Sequence, residues 1–125
     1  MSSSVNTGLV AIVDDDPSMR IAIEELLGSV GIKARSFASA EEFLISGIQN
    51  KIACLISDIR MPGMTGLELQ ARLIAEGSRV PVIFITAHGN ARTRTQALNA
   101  GAIEFLAKPF DDQKLLESVR AVLEA

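Results

Sequence analysis

Five short apolar runs, separated by amphipathic stretches, constrain this chain more than any other feature. They occupy residues 9–13, 33–37, 53–57, 82–86 and 104–107. The first, third and fourth are almost unbroken Val, Ile, Leu, Phe and Ala. A strand with one wet face alternates apolar and polar residues, whereas a strand covered on both faces does not. The runs therefore predict strands of a parallel sheet with helices on either side.

The intervening stretches have helical spacing. Met19, Ile23, Leu26, Leu27 and Val30 share one helical face, introduced by a capping Asp16 and a first-turn Pro17. Ala40, Phe43, Leu44, Gly47 and Ile48 line a second, with Ser39 and Glu42 spaced as a capping box. Leu67, Ala71 and Ile74 mark a third, and Leu115, Leu116, Val119, Val122 and Leu123 mark the last. Residues 92–100 form the weakest pattern, with Leu98 the only sizeable apolar side chain. The order is β-α repeated five times, an α/β class with helices on both faces of an open sheet. Such sheets bind ligands at the carboxyl ends of their strands, beside a topological switch point.

Composition narrows the function. At 125 residues the chain fits one domain, and 48% hydrophobic with 22% charged residues is enough for a core. A net charge of −3 argues against a nucleic-acid surface. No apolar run approaches the ~20 residues of a membrane span. The single cysteine, Cys54, forms no internal disulfide and reads as a small buried hydrophobe. The polar start lacks the pattern of a signal peptide, which makes the cytoplasm the expected location.

The strand ends hold the chemistry. Asp14, Asp15 and Asp16 follow the first strand, Asp58 the third, and Lys108-Pro109 the fifth, while Thr86 closes the fourth. The second strand ends without a comparable group, as suits an edge strand. Clustered carboxylates repel one another, and a divalent cation relieves the repulsion. Oxygen-only ligands favour a hard ion such as Mg²⁺, or Mn²⁺ in its place. A carboxylate also accepts a phosphoryl group covalently, a transfer that needs mainly in-line positioning and charge neutralisation. Singly, each residue has a plainer role: a helix cap for Asp16, a turn for Asp58, a strand-end hydroxyl for Thr86, a solvated lysine for Lys108. The conjunction at four strand ends carries the reading.

Four segments, VAIVDDDPSMR (10–20), LISDIRMPGMTGLEL (55–69), PVIFITAHGN (81–90) and AGAIEFLAKPF (100–110), resemble the receiver domains of two-component response regulators. The resemblance covers residues 8 to 123, which frames 1–125 as one receiver domain with a flexible tail at 1–7. It implies a flavodoxin-like (βα)5 three-layer sandwich with parallel sheet order 2-1-3-4-5. It also implies Asp58 as the phosphoacceptor, Asp15 as a direct Mg²⁺ ligand, Asp14 as its water-mediated partner, and the Arg60 main-chain carbonyl as a further ligand. Thr86 and Lys108 would be the hydroxyl and ammonium that meet the phosphoryl group. Phe105 would be the switch aromatic, and the Lys108-Pro109 bond would be cis, aiming the lysine into the site. The implied protein is not a metabolic enzyme. A sensor histidine kinase would be its partner, and phosphorylation would drive homodimerisation through the fourth helix, fifth strand and fifth helix.

FASAEEFL (37–44), RMPGMTGLEL (60–69) and His88-Gly89-Asn90 are similar to receivers of the nitrogen-fixation-regulator subgroup, which precede a LuxR-like DNA-binding output. The sequence ends after its fifth helix, so no DNA contact is expected of these residues. Arg60 and His88 sit where the family varies and bear on how water reaches the phosphoryl group, although His88 reads equally as a loop residue without a role. The alternative is a receiver-like interaction module that is never phosphorylated, but such modules lose one of the acids, the Thr or the Lys, and this chain keeps all. An aspartate phosphatase would want a second carboxylate at position 60, which is Arg. A flavodoxin would want a phosphate-cradling loop after the first strand, where this chain has Asp14-Asp15-Asp16-Pro17.

Overall fold

The apolar runs become the strands of one parallel sheet. A computed structural model describes residues 8–87 and 89–124, so the tail at 1–7 and His88 lie outside the described residues. The order is β1 (Val10–Val13), α1 (Pro17–Gly28), β2 (Ala34–Phe37), α2 (Ala40–Ser46), a 3-10 turn (Ile48–Asn50), β3 (Cys54–Ser57), α3 (Gly66–Ala75), β4 (Val82–Thr86), α4 (Ala91–Asn99), β5 (Glu104–Ala107) and α5 (Asp112–Leu123). The strands lie in the order β2-β1-β3-β4-β5, all pairs parallel, which is the flavodoxin-like arrangement.

Alternation along each strand divides the core in two. Ala11, Val13, Leu55 and Phe84 face Phe43, Leu69, Leu73 and Ala97 of α2, α3 and α4. Val10, Ile12, Ile56, Ile83 and Ile85 face Ile23 and Leu27 of α1 and Leu115, Leu116 and Val119 of α5. Every residue of β1, β3 and β4 is buried, as unbroken apolar runs require. The outer strands β2 and β5 are only partly covered.

The helices depart from the expected pattern in instructive places. Helix α3 buries Gly66, Leu69, Gln70 and Leu73, whereas Ala71 and Ile74 of the expected stripe face solvent. Two apolar stripes lie side by side on this helix: Leu69 and Leu73 enter the core, and Leu67 packs partly buried against it. Helix α2 stops at Ser46 because Gly47 adopts φ 76°, a left-handed cap, and Ile48 reaches the core from the turn beyond. Val30 lies past the end of α1 and is exposed. Ser39 caps α2 as expected, but the Glu42 carboxylate accepts from Ala38 N–H instead of Ser39 N–H. The complete capping box belongs to Thr65 and Glu68 at the start of α3.

Candidate functional site

Register places the acids side by side. Val13 pairs with Ser57 across β1 and β3, so Asp14 and Asp58, the next residue of each strand, emerge together at the carboxyl edge. Asp58 N–H donates to Val13 O at 2.9 Å, and Asp14 N–H to Phe37 O at 3.1 Å, which extends the ladder one step beyond the strands. On the other side Thr86 pairs with Ala107, and Lys108 N–H donates to Thr86 O at 2.9 Å. The Lys108–Pro109 peptide is cis.

Each buried carboxylate anchors itself with one oxygen and presents the other. Asp14 Oδ1 accepts from Asp16 N–H at 2.9 Å, and Asp58 Oδ1 accepts from Ile59 N–H at 2.7 Å. The Lys108 ammonium then donates to Asp14 Oδ2 at 2.9 Å and to Asp58 Oδ2 at 3.2 Å. Asp14 is 2% and Asp58 8% exposed, so these are desolvated contacts. Asp15 stands at the solvent side, and one carboxylate oxygen from each of Asp14, Asp15 and Asp58 falls within 4.8 Å of the others.

Charge in this pocket is unbalanced. Burial, reinforced by the charge of Asp58, holds the Asp14 carboxyl above the usual range despite the hydrogen bonds from Asp16 and Lys108. Burial also opposes the charge on Lys108, but its bonds to Asp14 and attraction to both acids prevail and raise its pKa. Three carboxylates against one ammonium leave surplus negative charge at a site of oxygen donors. That donor set fits a hard divalent cation such as Mg²⁺, with Asp14, Asp15 and Asp58 as the residues that would hold it.

The remaining expected residues lie around this centre. Thr86 is 1% exposed at the end of β4. The half-buried Phe105 ring lies against the loop after β4: a β-carbon at Gly89 would fall 2.7 Å from Phe105 Cε1 and 2.9 Å from Thr86 Cγ2. Arg60 is exposed in the loop leaving Asp58. The structure does not bring Arg60 or Phe105 into hydrogen-bonded contact with the acids, as it does Lys108.

Two neighbours escaped the sequence reading. Arg20 on α1 donates to the Asp14 carbonyl at 2.7 Å, fixing the peptide that carries the acid. Glu41 on α2 accepts from Met64 N–H at 2.8 Å, tying α2 to the loop after Asp58. Arg20 sits within the quoted segment 10–20, so its nearness was the one available signal. Nothing local announces Glu41, which bonds across 23 positions of sequence.

Comparison with known proteins places these features in context. Residues 10–120 match the response regulator receiver domain family. Nodulation protein W of Bradyrhizobium diazoefficiens is 42% identical over 93% of this chain and 51% of its own length. The solved response regulator StyR is similar at 44% identity and a TM-score of 0.85, covering 93% of this chain and 59% of that one. FixJ-N, at 32% identity and a TM-score of 0.82, covers 99% of this chain and 96% of its own. The chain spans about half the length of the curated relatives it matches.

Proposed function

Because the chain belongs to the response regulator receiver domain family, we propose that it takes a phosphoryl group from a sensor histidine kinase onto Asp58 and relays the change to an output. The observation that carries this reading is the Lys108 ammonium shared between buried Asp14 and Asp58 at adjacent strand ends. An acceptor carboxylate, a neutralising cation and an acidic metal pocket are the parts that phosphoryl transfer needs.

The steps follow from the side chains. An oxygen of Asp58 attacks phosphorus in line, the phosphorus–nitrogen bond of the phosphohistidine breaks, and the imidazole leaves with its electron pair. Asp14, Asp15, Asp58 and the Arg60 carbonyl would hold a Mg²⁺ ion, which would supply charge neutralisation for the transferring oxygens. Lys108, already 3.2 Å from Asp58, turns to the added negative charge. Thr86 offers its hydroxyl to the same group. Its departure from the buried end of β4 frees volume beside the Phe105 ring, which turns inward to fill it.

That movement alters the surface of α4, β5 and α5. Arg92 and Arg94 at the start of α4 and Asp111 and Asp112 at the start of α5 give this face charges of both signs, which suits a phosphorylation-dependent homodimer. Helix α4 buries only Ala97 fully, so few contacts oppose its shift. The relatives' length and the named regulator FixJ support a transcriptional output of the nitrogen-fixation-regulator kind. Among the described residues no helix is long and apolar enough to cross a membrane.

The test is labelling of wild type and Asp58→Asn with acetyl phosphate and Mg²⁺. Wild type should take up phosphate in a Mg²⁺-dependent manner and the variant should not. Undiminished labelling of the variant would remove Asp58 from its role. Absent labelling of both would favour the unphosphorylated interaction module.

A further inference from the structure

The loop leaving Asp58 is held from outside by a residue of a different βα unit. Glu41, in the first turn of α2, accepts the Met64 N–H at 2.8 Å through Oε2. The same carboxylate occupies the space over Gly63: a β-carbon there would fall 2.6 Å from Oε2. Gly63 has φ +77°, a conformation that other residues adopt with strain. The loop's far end is fixed independently, by Gly66 N–H donating to Ile59 O at 2.8 Å and by the Thr65–Glu68 capping box. Between Asp58 and those anchors, the Glu41 carboxylate pins the loop from another element through its hydrogen bond with Met64 N–H.

We propose that Glu41 is a positioning residue for the acceptor loop, holding the main chain between Asp58 and Thr65 in the arrangement that binds a divalent cation. The proposal rests on the receiver reading above, in which the Arg60 carbonyl of this loop is a metal ligand. It adds a residue that touches neither metal nor phosphoryl group. It also gives a physical link between the segments 37–44 and 60–69: the glutamate of one meets the glycine and amide of the other. Glutamine at position 41 keeps an acceptor oxygen and alanine does not, so the pair separates the hydrogen bond from the charge.

The experiment measures Mg²⁺ affinity calorimetrically on the unphosphorylated protein and amide exchange at Met64 by NMR. In Glu41→Ala, exchange at Met64 should accelerate and the Mg²⁺ Kd should rise by about tenfold, the low end of what outer-shell hydrogen bonds contribute to metal sites. Glu41→Gln should stay within about twofold of wild type, on the same scale. With acetyl phosphate, the half-saturating Mg²⁺ concentration should rise while the rate at saturating Mg²⁺ holds, a split that a general loss of structure would not produce. Gly63→Ala, which displaces the carboxylate, should weaken Mg²⁺ binding as well, and the double variant should match Gly63→Ala alone. Faster Met64 exchange with unchanged Mg²⁺ affinity would overturn the proposal, as would a Gln variant equal to the Ala variant or additive effects in the double variant. Failure of the Asp58→Asn test leaves these binding and exchange measurements readable, so the two ideas fail separately.

Discussion

Lys108 is nearer to Asp14 than to Asp58: its ammonium lies 2.9 Å from Asp14 Oδ2 and 3.2 Å from Asp58 Oδ2. The lysine is thus shared between the proposed acceptor and a proposed metal-pocket acid. A cation held in the pocket would compete with Lys108 for Asp14. Lys108→Met should leave two buried carboxylates without their ammonium and cost about 3–5 kcal/mol. Mg²⁺ should then raise the melting temperature of the variant more than that of wild type, because it supplies the missing charge. Differential scanning calorimetry with and without Mg²⁺ checks both statements.

Asp14 presents the opposite case. Its carboxyl is held above the usual range by burial first, with the neighbouring Asp58 charge adding to it, so its ionised form opposes folding at neutral pH. Asp14→Asn removes that charge, retains an acceptor for Asp16 N–H, and leaves Lys108 paired with Asp58. The variant should melt a few degrees higher than wild type near pH 7 and lose most of its Mg²⁺ affinity. A lower melting temperature would show that the Lys108–Asp14 contact outweighs the burial of the acid.

The pH dependence attached to Lys108 has a definite sign. Its folded-state pKa is raised above the ordinary 10.5, despite burial, through Asp14 and Asp58. Its stabilisation is therefore fully present below that ordinary value and disappears as pH rises through the higher folded-state value. The stability gap between wild type and Lys108→Met should be constant across neutral pH and narrow only in strong alkali. Urea titrations from pH 7 upward in the two proteins measure it.

Gly66 opens α3 against the main chain of Asp58, the proposed acceptor. A β-carbon there would overlap the Asp58 carbonyl oxygen and sit 3.0 Å from Ile59 Cα, both main-chain atoms without a rotamer to escape through. Gly66→Ala should destabilise the fold by about 1–3 kcal/mol, as overpacking typically does, and slow labelling at Asp58 by displacing its peptide. Gly28→Ala, with open space around its β-carbon, should cost far less in the same denaturation assay.

Cys54 lies in β3 with 0% exposure, and burial pushes its thiol up to about 12. Thiol reagents at neutral pH should leave the native protein unmodified and react only through opening of the sheet. The modification rate should rise with urea in parallel with unfolding followed by circular dichroism.

Much of the architecture was legible because burial on both faces leaves a local trace. β1, β3 and β4 could be read from unbroken Val, Ile and Leu, and β2 was recognisable as an edge by the lack of a comparable polar group at its end. α3 was less legible. Leu67, Ala71 and Ile74 and the neighbouring Leu69 and Leu73 both have helical spacing, and periodicity does not rank two stripes on one helix. The sheet ranks them, through the contacts that Leu69 and Leu73 make with it. Glu42 illustrates the same limit at smaller scale, since spacing proposed Ser39 N–H as its partner and the chain direction before α2 presents Ala38 N–H.

The sequence by itself determined the order of strands and helices, the parallel sheet, and which residue types stand at the strand ends, because these depend on local burial patterns and chain order. Only the tertiary structure decided that Val13 and Ser57 are in register, that Lys108 is shared between Asp14 and Asp58, and that Glu41 closes on Met64. Those relationships join residues 94, 50 and 23 positions apart, in the case of the last three contacts. No local period encodes them. They arise when packing on both faces of the sheet sets register and helix placement, and so brings distant side chains to hydrogen-bonding distance.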